Sequence, residues 1–153
     1  MPGGAASASA VLAMVRRCSP TSLFHRFHGP TDGIAYTEAV LGRASALVLL
    51  AWEEQRCVGM AMLGGELAGV PHLGVLVEDD RQRRGIGTRL VTALACEAVR
   101  SGVRSIRADI LGEDGGLVAR LRRLGPVRVD LYMGTYSVHI DLTATATAPA
   151  PVD

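Results

Sequence analysis

The chain has 153 residues, enough for one domain around a single core, and 48% of them are hydrophobic. Its formal net charge is +1 at pH 7, which argues against a nucleic-acid partner, because such partners require a basic surface. No apolar run approaches the roughly 20 residues of a membrane span, and no signal-peptide pattern opens the sequence, so we expect a cytoplasmic protein without a membrane partner.

The first half of the chain predicts helices followed by three strands. The apolar residues at 11–15 follow a serine-containing cap and have helical spacing. Two short apolar runs, 46–52 and 57–63, are separated by charged residues and predict a hairpin of buried strands. A third strand is predicted at 73–77.

The second half predicts a helix, a strand, a short helix and a closing antiparallel pair of strands. These elements are expected at 86–101, 103–111, 117–124, 127–133 and 136–142. Residues 143–153 are low in complexity and offer no large side chains to bury, so we expect a disordered tail after a domain of residues 7–142.

Three cysteines are scattered along the chain, at Cys18, Cys57 and Cys96. Their spacing is not that of metal ligands, and no base stands near any of them in sequence. We therefore expect small apolar residues in a reducing compartment, and no metal site.

The turn between the third strand and the following helix carries the strongest functional signal. It reads Gln82-x-x-Gly85-x-Gly87 and is rich in arginine: Arg81, Arg83, Arg84 and Arg89. The first turn of a helix has unpaired N–H groups and the positive end of the dipole, and glycine lets an anion approach the backbone. The pattern predicts a phosphate or pyrophosphate site. A basic turn leading into a surface helix is the alternative for this short motif alone.

Two better-known phosphate loops are excluded by the spacing. A P-loop needs a lysine after its second glycine, and the chain contains no lysine. A dinucleotide fingerprint needs a third glycine, where Arg89 and Leu90 stand instead.

The remaining pattern resembles the coenzyme A loop, Gln/Arg-x-x-Gly-x-Gly/Ala, of the GNAT family of N-acetyltransferases, and the predicted element order is also the family's. The resemblance implies an α/β (α+β) fold, with a mixed central sheet of about six strands flanked by helices. It also implies acetyl-CoA as co-substrate and transfer of an acetyl group to a primary amine. The expected cofactor contacts are Val75, Leu76, Val77, Gln82, Arg83, Arg84, Gly85, Ile86, Gly87, Thr88 and Asp114. Asp114 stands where the family's second CoA-contacting motif usually has asparagine.

Residues 19–27 are similar to a Ser-x-x-Ser-Leu-Tyr-x-Arg-Phe segment of bacterial protein-lysine acetyltransferases. This similarity implies a protein lysine or a small amine as the acceptor. An ammonium has no lone pair, so the acceptor must first lose a proton. In those enzymes a glutamate on the strand before the loop is the base, and His72 occupies its place here.

Histidine suits this role because its ordinary pKa of about 6.5 lies near operating pH. The alternative is that His72 is a strand-end residue with its tip in solvent. Glu78, Asp79 and Asp80 follow the strand and are expected to cap the turn or face solvent. Leu121 stands where the family often has a tyrosine acid, and Tyr132 and Tyr136 are expected in packing or in the substrate pocket.

Two further expectations concern the departures from the family pattern. The family usually begins with a strand before its first helix, and no such strand precedes the first predicted helix here. The strand around Val48 would then form an edge, which either a second copy covers, giving a homodimer, or the shortened sheet leaves open. The loss of the family's base and acid also leaves open a catalytically impaired acyl-CoA sensor or regulatory domain.

Overall fold

The computed structural model describes residues 5–67, 69–112 and 115–143. In chain order, the elements are α1 (Ala5–Arg17), α2 (Pro20–Phe27), α3 (Ile34–Leu41), β1 (Leu47–Glu53), β2 (Arg56–Leu67), β3 (Val70–Val77), α4 (Ile86–Arg100), β4 (Ser105–Leu111), α5 (Gly115–Leu121), β5 (Val127–Tyr132) and β6 (Thr135–Asp141). Asp114 and the tail from residue 144 onward lie outside the described residues, so the expectations about them stay predictions.

The strands form one mixed sheet in the order β1-β2-β3-β4-β6-β5. The only parallel neighbours among the described strands are β3 and β4, which the long helix α4 connects. The predicted six-stranded mixed sheet is therefore confirmed. β1 pairs with β2 alone among the described residues, so it forms the edge that the sequence predicted around Val48.

Successive side chains of each strand point to opposite faces of the sheet, so the core has two layers. One layer packs α4 and α5 against the sheet, with Leu73, Leu94 and Val138 among its buried residues. The other packs α1, α2 and α3 against the opposite face, with Met60 and Leu76 at its centre. Because side chains alternate along β3, His72 and Gly74 lie on the same face as Leu76, under the N-terminal helices.

β2 and β3 are both longer than the strands predicted at 57–63 and 73–77. The antiparallel ladder runs to the pair Gly64 and His72 and, after a shift in register, ends at the pair Leu67 and Val70. Interstrand hydrogen bonding extends these strands beyond their apolar runs, which periodicity alone does not detect. As a result, His72 lies inside a strand and not at its end.

Cys18 and Cys57 are buried in the layer formed by the N-terminal helices, in agreement with their predicted packing role. Burial raises the pKa of the Cys18 thiol to about 12 and also raises that of Cys57, so both stay protonated. Across the described residues, no helix has the length and apolar character needed to cross a membrane, and no three potential metal ligands converge.

Candidate functional site

The sheet parts between β3 and β4. β3 pairs with β2 along most of its length, but with β4 only at His72 and Arg107 among the described residues. Beyond His72, the edge of β3 that faces β4 therefore has no ladder partner in the described part of the chain. Backbone groups near Val75 and Leu76, which we expected to hold the thioester, lie along this free edge.

An anion cradle follows directly after β3. A 3₁₀ turn leads into two left-handed residues, Arg83 with φ 62° and Gly85 with φ 82°. The first α-helical hydrogen bond of α4 runs from the Arg89 N–H to the Gly85 carbonyl, at 3.0 Å. The N–H groups of residues 86–88 have no acceptor among the described residues, so their donors are available to an anion.

The two glycines of the loop have different structural roles. Gly85 needs its left-handed conformation, and a Cβ there would meet nothing within 4 Å. A Cβ on Gly87 would lie 3.7 Å from a Val77 methyl and 3.8 Å from a Val75 methyl. These are ordinary contact distances, so packing against β3 does not require glycine at position 87, and the expected exposure of its backbone is what favours glycine there. An open cradle of three unpaired donors fits a pyrophosphate.

The arginines around the cradle are not equivalent. Arg81 is held by Glu53, with its Nε 2.6 Å and its Nη2 3.1 Å from the two carboxylate oxygens. Arg83, Arg84 and Arg89 are exposed and form no salt bridge within the described residues, so their positive charge is available to an anion. The expectation that all four arginines surround an anion is therefore wrong for Arg81, because a carboxylate from β1 already binds it.

Gln82 holds the loop in place. Its side-chain amide donates to the Val77 carbonyl at 2.9 Å and to the Ser22 hydroxyl at 3.0 Å. Its backbone N–H donates to the Asp79 carbonyl at 3.3 Å. Gln82 was expected within the row of anion-binding N–H groups, but its own donors are already used. The cradle proper begins after it.

The start of α2 is anchored to the same loop. The Asp79 carboxylate accepts hydrogen bonds from the Ser19 N–H at 2.9 Å, the Ser19 hydroxyl at 2.6 Å and the Ser22 hydroxyl at 3.2 Å. The Ser19 hydroxyl also caps α2 by accepting from the Ser22 N–H. The two serines of the segment at 19–27 thus dock α2 on the loop.

Glu78 is buried, with 2% of its surface exposed. Its carboxylate accepts from Arg17 Nε at 2.8 Å and also contacts Arg56. Burial raises the pKa of this carboxyl, but the hydrogen bonds from Arg56 and Arg17 outweigh burial and hold the pKa below its usual range. The expectation that Glu78 caps the turn or faces solvent is wrong, because arginines from α1 and β2 converge on it.

A cavity of about 300 Å³ lies where β3 and β4 part. Its walls are formed by α2 and the loop after it, by α3, and by the two strands: Arg26, Phe27, His28, Thr31, Tyr36, His72 and Asp109. This cavity brings the predicted base together with residues that the sequence did not single out.

His72 points into this cavity, and its side chain is 17% exposed. Its Nε2 lies 3.3 Å from Asp109 Oδ2. Burial lowers the pKa of His72, Arg26 and Arg107 lower it further, and Asp109 opposes them without reversing the shift. The imidazole is therefore neutral near pH 7, as a base requires. The alternative of a strand-end residue in solvent is wrong, because the ladder extends past His72.

Asp109 is the principal residue that sequence reasoning missed. It lies on β4, two residues beyond the one that pairs with His72. Because side chains alternate along β4, Arg107 and Asp109 lie on one face of the strand. This shared face was the only sign in the sequence that the two residues could act together. Only the parallel pairing of β3 with β4 brings that face next to His72.

Arg26 covers the cavity from the helix side. Its guanidinium lies 4.7 Å from the Phe27 ring centre and 5.3 Å from that of Tyr36. It packs directly on Gly74 of β3, where a Cβ would overlap it. Its Nε and Nη2 are buried and have no hydrogen-bond partner within the described residues.

The expected positions of the tyrosines are only partly correct. Tyr136 is half-buried against the core, but Tyr132 is 76% exposed at the tip of the last hairpin. Tyr132 is therefore neither a packing nor a pocket residue. Leu121 is buried in the core and offers no proton.

Comparisons with known proteins identify the family and the fold. Residues 13–125 match the model of the Acetyltransferase (GNAT) family. A comparison with curated protein sequences gives no significant match.

Similar solved structures extend over almost the whole chain. The GNAT domain of S. lividans PAT has a TM-score of 0.79 and 18% identity, over 90% of this chain and 86% of that one. The ribosomal-protein-alanine N-acetyltransferase from Brucella melitensis has a TM-score of 0.72 and 22% identity, over 92% and 97%. The structure of yncA, a putative acetyltransferase from Salmonella typhimurium with its cofactor acetyl-CoA, has a TM-score of 0.67 and 19% identity, over 98% and 95%.

Proposed function

The chain belongs to the GNAT acetyltransferase family, and from this premise we propose that it transfers an acetyl group from acetyl-CoA to a primary amine by direct attack in a ternary complex. The observation that carries the proposal is the placement of His72 at the parting of β3 and β4, on the strand that leads into the anion cradle of α4. The family match and the relative solved with acetyl-CoA support the donor.

The cradle fits the pyrophosphate of the donor. The N–H groups of residues 86–88 would donate hydrogen bonds to its oxygens, and Arg83 and Arg84 would add positive charge. The free edge of β3 at Val75 and Leu76 would hold the pantetheine arm and the thioester carbonyl. A contact from Asp114 stays a prediction.

His72 would then act as general base. Its neutral imidazole takes a proton from the acceptor nitrogen, whose lone pair attacks the thioester carbonyl carbon. A backbone N–H of β3 stabilises the oxyanion, the C–N bond forms and the C–S bond breaks. The leaving thiolate takes its proton from water, since Leu121 cannot supply one. Asp109 stabilises the imidazolium formed on His72.

The acceptor is a primary amine, with a protein lysine and a small amine as the two classes. The similarity of residues 19–27 to bacterial protein-lysine acetyltransferases supports the first class. However, Ser19 and Ser22 of that segment dock α2 on the loop, so their presence reflects architecture as much as acceptor choice.

The second candidate function is an acyl-CoA sensor or regulatory domain without turnover. The burial of Leu121 in place of an acid favours it. A CoA-thiol release assay with amines and lysine peptides separates the two candidates. Transfer predicts amine-dependent release that His72→Ala abolishes, whereas a sensor binds acetyl-CoA and releases no thiol with any amine.

We also propose a homodimer through the edge of β1 and a cytoplasmic location. β1 has no second neighbour among the described strands, and native sheets seldom leave such an edge uncovered. The buried free thiols of Cys18 and Cys57 favour a reducing compartment.

A further inference from the structure

The cavity at the parting of β3 and β4 is surrounded by more positive than negative charge. Arg26 and Asp109 line the cavity and contribute one guanidinium group and one carboxylate, and Arg107, next to Asp109 but not in the cavity wall, adds a second guanidinium group. That carboxylate is shared, because it lies 3.3 Å from His72 Nε2 and 3.7 Å from Arg107 Nη2. With His72 neutral, the cluster has a net charge of +1.

Three guanidinium nitrogens of this cluster have no acceptor among the described residues. Arg26 Nε, Arg26 Nη2 and Arg107 Nε are buried and form no hydrogen bond within the described residues. Buried donors are nearly always paired in folded proteins, so unpaired ones on an arginine that lines a cavity indicate a missing acceptor. Arginine's planar donors match the geometry of a carboxylate.

The packing around Arg26 holds its guanidinium at the cavity. The guanidinium lies over Phe27 and Tyr36 on one side and on Gly74 on the other. The helix that bears Arg26, α2, is itself anchored, because the Asp79 carboxylate accepts hydrogen bonds from Ser19 and Ser22. An arginine held in this way loses little further entropy on binding an anion.

We propose that the acceptor is a small amine that carries a carboxylate, with α-amino acids as the class. The carboxylate binds Arg26, and the amino group lies toward His72 and Asp109. The cavity of about 300 Å³ is at the lower end of the range for small-ligand sites, and its aromatic wall offers an apolar surface for a side chain. This inference rests on the proposed function, and the bonds made and broken are those given there.

The decisive measurement is binding to the unmodified protein in the presence of CoA. Calorimetric titrations compare glycine, L-alanine, L-leucine and L-phenylalanine, each with its own carboxamide. The amide keeps the amine and the side chain but removes the charge that Arg26 would bind. We expect at least one acid to bind about tenfold or more tightly than its amide. Equal affinities, or no binding by any acid, would overturn the inference.

Variants then assign the preference to Arg26. Arg26→Met keeps an apolar side chain against the two rings and should reduce the preference for acid over amide to about one, with CoA affinity unchanged. Arg128→Gln is the matched control, because Arg128 is an exposed arginine on β5, outside the cavity. If Arg26→Met does not fold, Arg26→Lys should show a reduced but measurable preference. A variant that retains the full preference would exclude Arg26.

A carboxylate could also arrive on the acyl group of the donor. Succinyl-CoA is therefore compared with acetyl-CoA in the same titrations. Arg26-dependent tight binding of succinyl-CoA, without a preference among the amino acids, would overturn the assignment to the acceptor. Turnover of terminally blocked lysine peptides but not of amino acids would do the same. If amino acids bind selectively but no CoA thiol is released, the inferred carboxylate site is supported and the proposed acetyl transfer is contradicted.

Discussion

The guanidinium of Arg26 occupies the space that a side chain at Gly74 would need. Glycine at this position in β3 lets a cation from α2 lie flat on the sheet, two residues from His72 along the same face. The arrangement joins a helix near the start of the chain to the strand that leads into the anion cradle.

Gly74→Ala should displace Arg26 without unfolding the protein. The added Cβ overlaps the end of a flexible side chain and not the backbone, so the guanidinium moves away while the strand remains. We expect the melting temperature to change by only a few degrees and the preference for acid over amide ligands to disappear. Gly64→Ala on β2 is the control, because its Cβ would make ordinary contacts at 3.8 and 3.9 Å. An unchanged preference in Gly74→Ala would contradict this placement of Arg26.

The rate of acetyl transfer should depend on the protonation of His72. Its neutral form is active, and burial together with Arg26 and Arg107 lowers its pKa against the opposing effect of Asp109. The pH profile of kcat/KM should therefore show a limb with a midpoint below the ordinary value of 6.5, with the lower rate on the acidic side.

Two variants test this assignment. Asp109→Asn removes the group that opposes the shift, so it should move the limb to still lower pH. His72→Ala should lower kcat by about a hundredfold and leave CoA affinity unchanged. If His72→Ala keeps both the rate and the limb, the base is water or the acceptor itself.

Arginines of the loop should differ in their effect on CoA affinity. Arg84→Gln removes a guanidinium that has no salt bridge among the described residues, so calorimetry should show CoA binding that is several-fold weaker. The loss should shrink at high salt, because the contact is exposed. Arg81→Gln is the matched control, since Glu53 already binds that guanidinium. Equal losses from both variants would contradict the distinction.

Glu78 should make the folded state sensitive to acid. Its pKa is lowered in the folded protein, so its stabilisation is present above the ordinary value of 4.5 and is lost as pH falls through the lower folded value. Glu78→Gln should remove this part of the pH dependence in urea unfolding. It should also cost about 1 to 2 kcal/mol at pH 7, a moderate loss because Arg17 and Arg56 are partly exposed and regain water.

Glu97→Gln is the comparison for Glu78→Gln. Glu97 pairs with Arg100 on the exposed face of α4, where ion pairs contribute little. The same cost in both variants would mean that the buried position of Glu78 is unimportant.

Sedimentation should show a dimer that associates through β1. The exposed ring of Trp52 on this edge strand gives a fluorescence reporter, because it is the only tryptophan of the chain. Its emission should shift to the blue as the dimer forms. A monomer at every concentration up to about 100 μM would contradict the proposal that a second copy covers this edge.

Several features of the fold and site were predictable because they depend on residues close together in the chain. Alternating and helical periodicity identified the hairpin, α4 and the last pair of strands, since each element must turn its apolar residues toward one core. The cradle was predictable from Gly85 and Gly87, because it is made of backbone groups at a helix start. The position of His72 on β3 was predictable as well, because it follows from counting residues back from Val77 along one strand.

The cavity was decided by the tertiary structure alone. Arg26, His72 and Asp109 come from α2, β3 and β4, and no spacing in the sequence relates them. They lie close together because His72 pairs with Arg107 in the parallel ladder and because the Asp79 carboxylate accepts hydrogen bonds from Ser19. Burial then lowers the pKa of His72 and leaves guanidinium nitrogens unpaired. Desolvation and charge pairing depend on distance in space, so local sequence determined the unpaired N–H groups at the start of α4, and only packing determined the chemistry of the cavity.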